Sequence, residues 1–196
     1  VARPSKFTTE DILDAAARAV AHRGRDVTLV QIASELGGPT GSLYHRFSSR
    51  DVLLVNLWIR SIRRFHQGFL AAAAGEDPAQ AAIDCAVHIP VFCRQHPHDA
   101  AAMTLYRQHE LVTHGPEELR DDVSRINHPV IAALKELAVR RYGTSDEFHQ
   151  TLMLTACEES PYGLVRPYIA SRQTIPDWMD DAVRASSQAI LALGDR

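Results

Sequence analysis

Long apolar runs are missing from this 196-residue chain: its wholly apolar stretches are only a few residues long, far short of the roughly 20 that carry a helix across a bilayer. The opening VARPSK has no apolar segment of the export type, so a cytoplasmic protein without membrane contact is expected. Cysteine is scarce too. Cys85, Cys93 and Cys157 are odd in number and lack CxxC spacing, and about two helical turns separate the first two, too far to bridge. A disulfide scaffold is excluded and reduced thiols are expected. No segment alternates apolar and polar residues as a half-buried strand does. A GxSxG elbow, a P-loop and a dinucleotide fingerprint are all absent, so no catalytic residue is assigned; an enzyme would have to draw its groups from scattered helices.

The nearest approach to a metal motif is His109-Glu110-Leu111-Val112-Thr113-His114, which has one residue too many for HExxH. Histidines five apart on a helix are rotated by about 140° rather than the roughly 40° of an i, i+4 pair, and cannot share a zinc. His96 and His98 flank Pro97 and read as polar turn residues. No metal and no cofactor is expected.

What is present is a core and an uneven charge. With 45% hydrophobic side chains the chain can fill one sizeable core or two modest ones. The net charge of −3 hides ten Lys or Arg against six Asp or Glu in residues 1–65, and 11 against 18 in the remainder. A basic first third suits a polyanion partner or an ordinary solvated surface. The basic run Arg60, Arg63 and Arg64 reads as a solvated helix face or a second anion contact.

Apolar residues recur at helical spacing, as in Ile12, Leu13, Ala16, Ala17 and Val20. Capping pairs Thr8/Asp11, Thr28/Gln31, Ser48/Asp51 and Thr144/Glu147 mark helix starts, as do the prolines of Asp77-Pro78, Gly115-Pro116 and Ile175-Pro176. Stops come at Gly24, Gly37, Gly75, His96-Pro97 and Gly143. The expected fold is all-α, with about nine helices near 9–23, 28–36, 40–46, 50–73, 78–95, 98–112, 116–142, 146–170 and 177–193. Pro129 and Pro161 should bend or interrupt the helices that contain them. The short early helices and long later ones divide the chain into an amino-terminal domain, 1–50, and a body, 51–196.

Residues 28–47 hold a capped helix with Leu29, Ile32, Ala33 and Leu36 turned inward, a Gly37-Gly38 turn and a second short helix anchored by Leu43 and Phe47. That is the size of a helix-turn-helix, whose second helix enters the DNA major groove and needs small residues where it nears the phosphates. Gly41 suits that approach, and Thr28, Thr40 and Ser42 offer hydroxyls. Tyr44 and His45 can reach backbone or bases, and Arg50 is placed to clamp a phosphate.

The segment TTEDILDAAARAVAHRGRDVTLVQIASELGGPTGSLYHRFSSRDVLL resembles the DNA-binding domain of the TetR family of transcriptional regulators. The resemblance is carried by Ile32-Ala33, Leu36-Gly37, Gly41, Leu43-Tyr44, Phe47, Ser49 and Leu53. It departs at Pro39, usually a hydroxyl residue, and at Gly38, usually hydrophobic, which predicts a looser turn; Arg50 keeps the charge of the usual lysine. The resemblance implies a homodimer whose heads read a palindromic double-stranded operator, and a body that binds a small-molecule effector releasing the DNA.

The body carries no matching motif. Cys85, His88, Phe92, Met103, Tyr106, His109, Cys157, Glu158 and Tyr162 are the side chains that combine apolar lining with polar contacts, although each also fits an ordinary core or surface position. Leu152, Leu154, Ala156, Trp178, Met179, Val183, Ile190, Leu191 and Leu193 are more apolar surface than one chain end needs, and predict a four-helix bundle with a second copy. Two other readings stay open: a helical enzyme or carrier with a merely structural hairpin, and a DNA-binding regulator whose body senses a protein partner.

Overall fold

The computed structural model describes residues 7–195; Arg3 and Lys6 of the basic count, and the opening VARPSK, lie outside them. Among the described residues every regular element is helical. In chain order these are α1 (Thr9–Arg23), α2 (Leu29–Leu36), α3 (Gly41–Tyr44), α4 (Arg50–Ala73), α5 (Pro78–Gln95), α6 (Pro97–Met103), α7 (Gln108–His114), α8 (Arg120–Arg125), α9 (His128–Tyr142), α10 (Glu147–Leu154), α11 (Ser160–Ser171) and α12 (Met179–Leu191).

Local chemistry accounts for most of these limits. Thr8 and Thr28 close reciprocal capping boxes with Asp11 and Gln31. Asp77 accepts from the Ala79 N–H ahead of Pro78, and Gly37 and Gly143 end α2 and α9 in left-handed conformations that a side chain would strain. Two expected caps are displaced: Ser49, not Ser48, accepts from Val52 N at the start of α4, and Asp146, not Thr144, accepts from His149 N at the start of α10. Ser48 instead donates to Glu118.

The expected helix 98–112 is two helices, broken at residues 104–107, and 116–142 is a 3-10 turn followed by α8 and α9. Pro129 takes the first turn of α9, where no backbone donor is needed. Pro161 acts differently. Lacking an N–H, it leaves the backbone four residues earlier without its usual donor, and the chain absorbs this with a π turn, Thr155–Glu159, in which Ser160 N bonds Thr155 O. Pro90 and Pro167 also lie inside helices, α5 and α11, at positions where the pattern showed no break.

The chain packs as two compact units, residues 1–62 with 98–126 and residues 63–97 with 127–196. A division at residue 50 therefore falls inside the first unit. The cause is the opening half of α4, whose Leu53, Leu54 and Leu57 share a core with Ile12, Leu13 and Val20 of α1, Ile32, Leu43 and Phe47. Ala102 and Leu105 complete it. A second cluster joins Val55, Trp58 and Ile59 to Leu111, Val123 and Ile126, and the Trp58 indole donates to Met103 O at 3.2 Å.

Arg60 is half-buried and paired within this unit rather than part of a solvated basic face. Its guanidinium is 2.7 Å from Asp14 and 3.2 Å from Glu10, and 3.7 Å from Asp99, a buried carboxylate that also accepts from Ser61 Oγ at 2.8 Å. Charge that could have served a polyanion is thus used to tie α1, α4 and α6.

In the second unit Phe65, Phe69, Ile89, Phe92, Leu134, Leu137, Met153, Cys157, Val165, Met179 and Val183 are buried. Phe92 stands edge-on to Phe65, with ring centroids 5.3 Å apart. Arg140 closes the end of α4 by donating to Ala73 O and Glu76 O, and Arg94 holds the segment before α12 through Ile175 O and Asp180. The expected surplus of apolar surface at the chain end shrinks here. Leu152, Ala156, Met179, Val183 and Leu191 fill this unit's own core, whereas Leu154, Trp178 and Leu193 remain exposed and Ile190 half-buried.

Candidate nucleic-acid interface

The site is built on α2, the Gly37–Thr40 turn and α3. Ile32 and Ala33 bury one face of α2, and Leu43 with Phe47 pins α3 to the same core, which fixes what each element leaves outside. Thr28 spends its oxygen accepting from Gln31 N at 3.3 Å, so its O–H remains a donor on an exposed residue. Thr40 and Ser42 are half-buried, and Gly41, Tyr44 and His45 are exposed, Tyr44 at 60%. A phenol ring so uncovered gains nothing from the fold.

Gly41 carries the most informative geometry. A Cβ built there meets no atom within 4 Å, and its φ lies outside the positive region, so the protein itself has no need of glycine. The need would come from a surface that approaches from outside. Gly38 is the opposite case: a Cβ there would stand 2.5 Å from the Phe7 ring, which occupies the space. The glycine pair therefore makes a tight turn closed by Phe7, not the looser one its departure from the family pattern predicted.

Arg50 is engaged within the chain. Its Nε donates to Val27 O at 2.6 Å and its terminal nitrogens reach Arg25 O and Asp51, so each nitrogen already has a partner within the chain. It clamps the turn that precedes α2. Arg46, the guanidinium that follows Tyr44 and His45, is exposed beside them, and one surface residue escaped the sequence reading, Val30 at 68% exposure. Val30 was legible in principle, since it is an apolar side chain off the Leu29, Ile32, Ala33, Leu36 face.

An exposed phenol at the end of α3, an imidazole and a guanidinium in the turn after it, and small hydroxyl residues at the starts of α2 and α3 can meet phosphate oxygens and base edges. Residues 12–57 match the model of the bacterial regulatory proteins of the tetR family. Residues 12–57 carry a TetR-type DNA-binding domain. A domain of this type supports a DNA-binding transcriptional regulator. Solved structures with this fold include the fatty acid degradation regulator FadR from Bacillus halodurans, at 16% identity, TM-score 0.72 and coverage of 94% of this chain and 98% of that one. PfmR, a TetR-family regulator from Thermus thermophilus, aligns at 17% identity and TM-score 0.71 over 92% and 97% of the two chains. A TetR regulator from Haloarcula marismortui aligns at 18% identity and TM-score 0.70 over 94% and 96%. No curated protein sequence matches the chain.

The side chains expected around an effector fall into both units of the chain. Cys85, His88, Phe92, Cys157, Glu158 and Tyr162 lie in the second, and Met103, Tyr106 and His109 in the first. Cys85 and Cys157 are fully buried and donate to Phe69 O and Ala82 O, and burial pushes the Cys85 thiol up to about 12. His88 contacts Phe65 O at 3.0 Å, and burial holds its imidazole below the ordinary histidine range. Phe92 is buried, whereas Glu158, Tyr162 and His109 are exposed and Met103 and Tyr106 half-buried. Among the described residues no cluster suited to a metal ion occurs, and no helix is long and apolar enough to cross a membrane.

Proposed function

We propose that this TetR-family protein is a cytoplasmic, ligand-responsive repressor that binds a palindromic operator as a homodimer and leaves it when a small-molecule effector binds. The observation that carries the reading is the uncovered surface of α2 and α3, where open space at Gly41 adjoins exposed Tyr44, His45 and Arg46. Thr28, Thr40 and Ser42 would hold phosphates or base edges, Tyr44 and Arg46 the backbone, and His45 a base edge. Exposed Leu154, Tyr162, Leu164, Trp178 and Leu193 on the last helices and their flanks support pairing with a second copy. An effector that prefers the DNA-incompetent state would weaken operator binding by its difference in affinity between states, typically about 1–3 kcal/mol.

Capture of genomic fragments by the purified protein tests the reading, with enrichment of a short palindrome as the expected result. Tyr44→Ala should weaken binding to all sequences, and substitutions of Thr40 or His45 should also change base preference. Affinity for the recovered site should fall roughly 10³–10⁵-fold between 50 and 200 mM salt for about 6–10 phosphate contacts. Unchanged operator affinity in a Tyr44→Ala, Arg46→Ala double variant would sink the assignment. Release that requires a protein rather than any small compound would replace the effector with a protein partner.

A further inference from the structure

The first unit holds an open cleft of about 650 Å³ lined by Arg25, by residues at the start of α4, and by α7 and the segments on either side of it. This is within the roughly 300–1,000 Å³ of small-molecule sites. Its floor is apolar, formed by buried Val55 and Leu111 and half-buried Tyr106. Its rim carries the exposed carboxylates of Asp51 and Glu110, with His114 and Ser49. Tyr106 lies in the break between α6 and α7, half-buried, and burial pushes its phenol above the ordinary range. That ring already holds a cation: the guanidinium carbon of Arg25, an exposed residue, is 4.6 Å from its centroid.

We propose that this cleft binds an organic cation with an apolar body, which takes the place of Arg25 on the Tyr106 ring. The ring face is the part of the cleft that attracts positive charge, and a long exposed arginine loses little by swinging back into water. The permanently charged lining groups are one guanidinium and two carboxylates, so an anion is disfavoured. Asp51 is paired with Arg50 at 3.1 Å, which makes Glu110 the carboxylate that meets the ligand. Val55 and Leu111 take up the apolar body. Of the residues expected around an effector only Tyr106 belongs to this cleft, and the site does not depend on the repressor reading. Occupancy would be felt at the entry to α2, because Arg25 O accepts from Arg50 and Val27 precedes the Thr28 cap.

The test titrates the full-length protein with benzyltrimethylammonium, followed by calorimetry and ligand-observed NMR, beside its neutral isostere neopentylbenzene and the anion phenylacetate. Saturable binding of the cation is expected, with both comparison compounds at least about fivefold weaker, the span of a partly desolvated cation–π contact. Tyr106→Leu should weaken the cation roughly fivefold and Tyr106→Phe leave it unchanged. Glu110→Gln, a surface change that does not threaten folding, should weaken it about threefold. Arg25→Ala should tighten it, about two- to fivefold, because the internal competitor is gone. Absence of saturable binding, equal binding of the neutral isostere, or weaker binding in Arg25→Ala would overturn the proposal. Operator affinity measured on the same preparations tests the regulator reading separately.

Discussion

Replacing Gly68 by alanine should destabilise this protein, although the same change in an exposed helix interior stabilises by about 1 kcal/mol. Gly68 lies within α4, and a Cβ there would collide with the His88 ring, standing 2.9 Å from both ring nitrogens and closer still to Cε1. The ring is held in place. It bonds Phe65 O at 3.0 Å, and its centroid is 5.0 Å from that of Phe65 and 5.7 Å from that of Phe92. Displacing it forfeits a hydrogen bond of roughly 0.5–1.5 kcal/mol and overpacks a core site at a typical cost of about 1–3 kcal/mol. Against the helical gain, the net loss is roughly 1–3 kcal/mol. Urea unfolding followed by circular dichroism at fixed protomer concentration measures it. In a His88→Ala background the obstruction is gone, and Gly68→Ala should then stabilise by about 0.5–1 kcal/mol. Stabilisation in the parent, or the same sign in both backgrounds, would refute the packing argument.

His66 is buried, and desolvation lowers its imidazole to about 4, so between about pH 6.5 and 4 the unfolded chain takes up a proton that the folded chain refuses. Stability should fall as pH drops through that window, and His66→Phe should flatten the fall in a pH series of melting temperatures. Arg50→Ala should cost roughly 1–3 kcal/mol by stripping Val27 O and Arg25 O of their donor, while the salt slope of operator binding stays unchanged; a slope smaller by about one would return Arg50 to the DNA contacts. Arg60→Leu, which removes the guanidinium shared by Asp14, Glu10 and buried Asp99, should lower stability by roughly 1–3 kcal/mol in the same urea assay, and a neutral result would show that the guanidinium does not hold these carboxylates together. Ala189→Asp, on an exposed position of α12, should dissociate the proposed dimer in light scattering and reduce operator affinity with it; a dimer unaffected at micromolar concentration would place the interface elsewhere.

Helix positions and the side of α2 that lies outside are readable in the sequence because their causes are local. A threonine three residues before an acid or amide caps a helix wherever it occurs, and α1 and α2 begin where Thr8 and Thr28 predict. The spacing of Leu29, Ile32, Ala33 and Leu36 fixes which side of α2 faces in, and hence that Thr28 and its neighbours face out. The breaks were less legible. Pro161 announced an interruption, but its resolution as a π turn depends on what the surrounding helices allow, and the division of 98–112 follows from Leu105 and Tyr106 being drawn toward the core of the first unit.

What the sequence determined by itself, then, is an all-helical chain with a helix-turn-helix of TetR type at residues 28–47, since capping, periodicity and the small residues of the turn act within a few positions. Only the tertiary structure decided how the long-range partners are used. Arg50 and Arg60 look alike in sequence to any exposed cation, yet one is taken up by carbonyls 23 and 25 residues away and the other by Asp14 and Glu10 some 46 and 50 residues away. Leu191 and Val183 look like interface residues until the unit they belong to is seen to bury them itself. Arg25 and Tyr106, distant in the chain, become neighbours only when α1, α4 and α7 pack, because a side chain's partners are chosen by the path of the whole backbone and not by its own type.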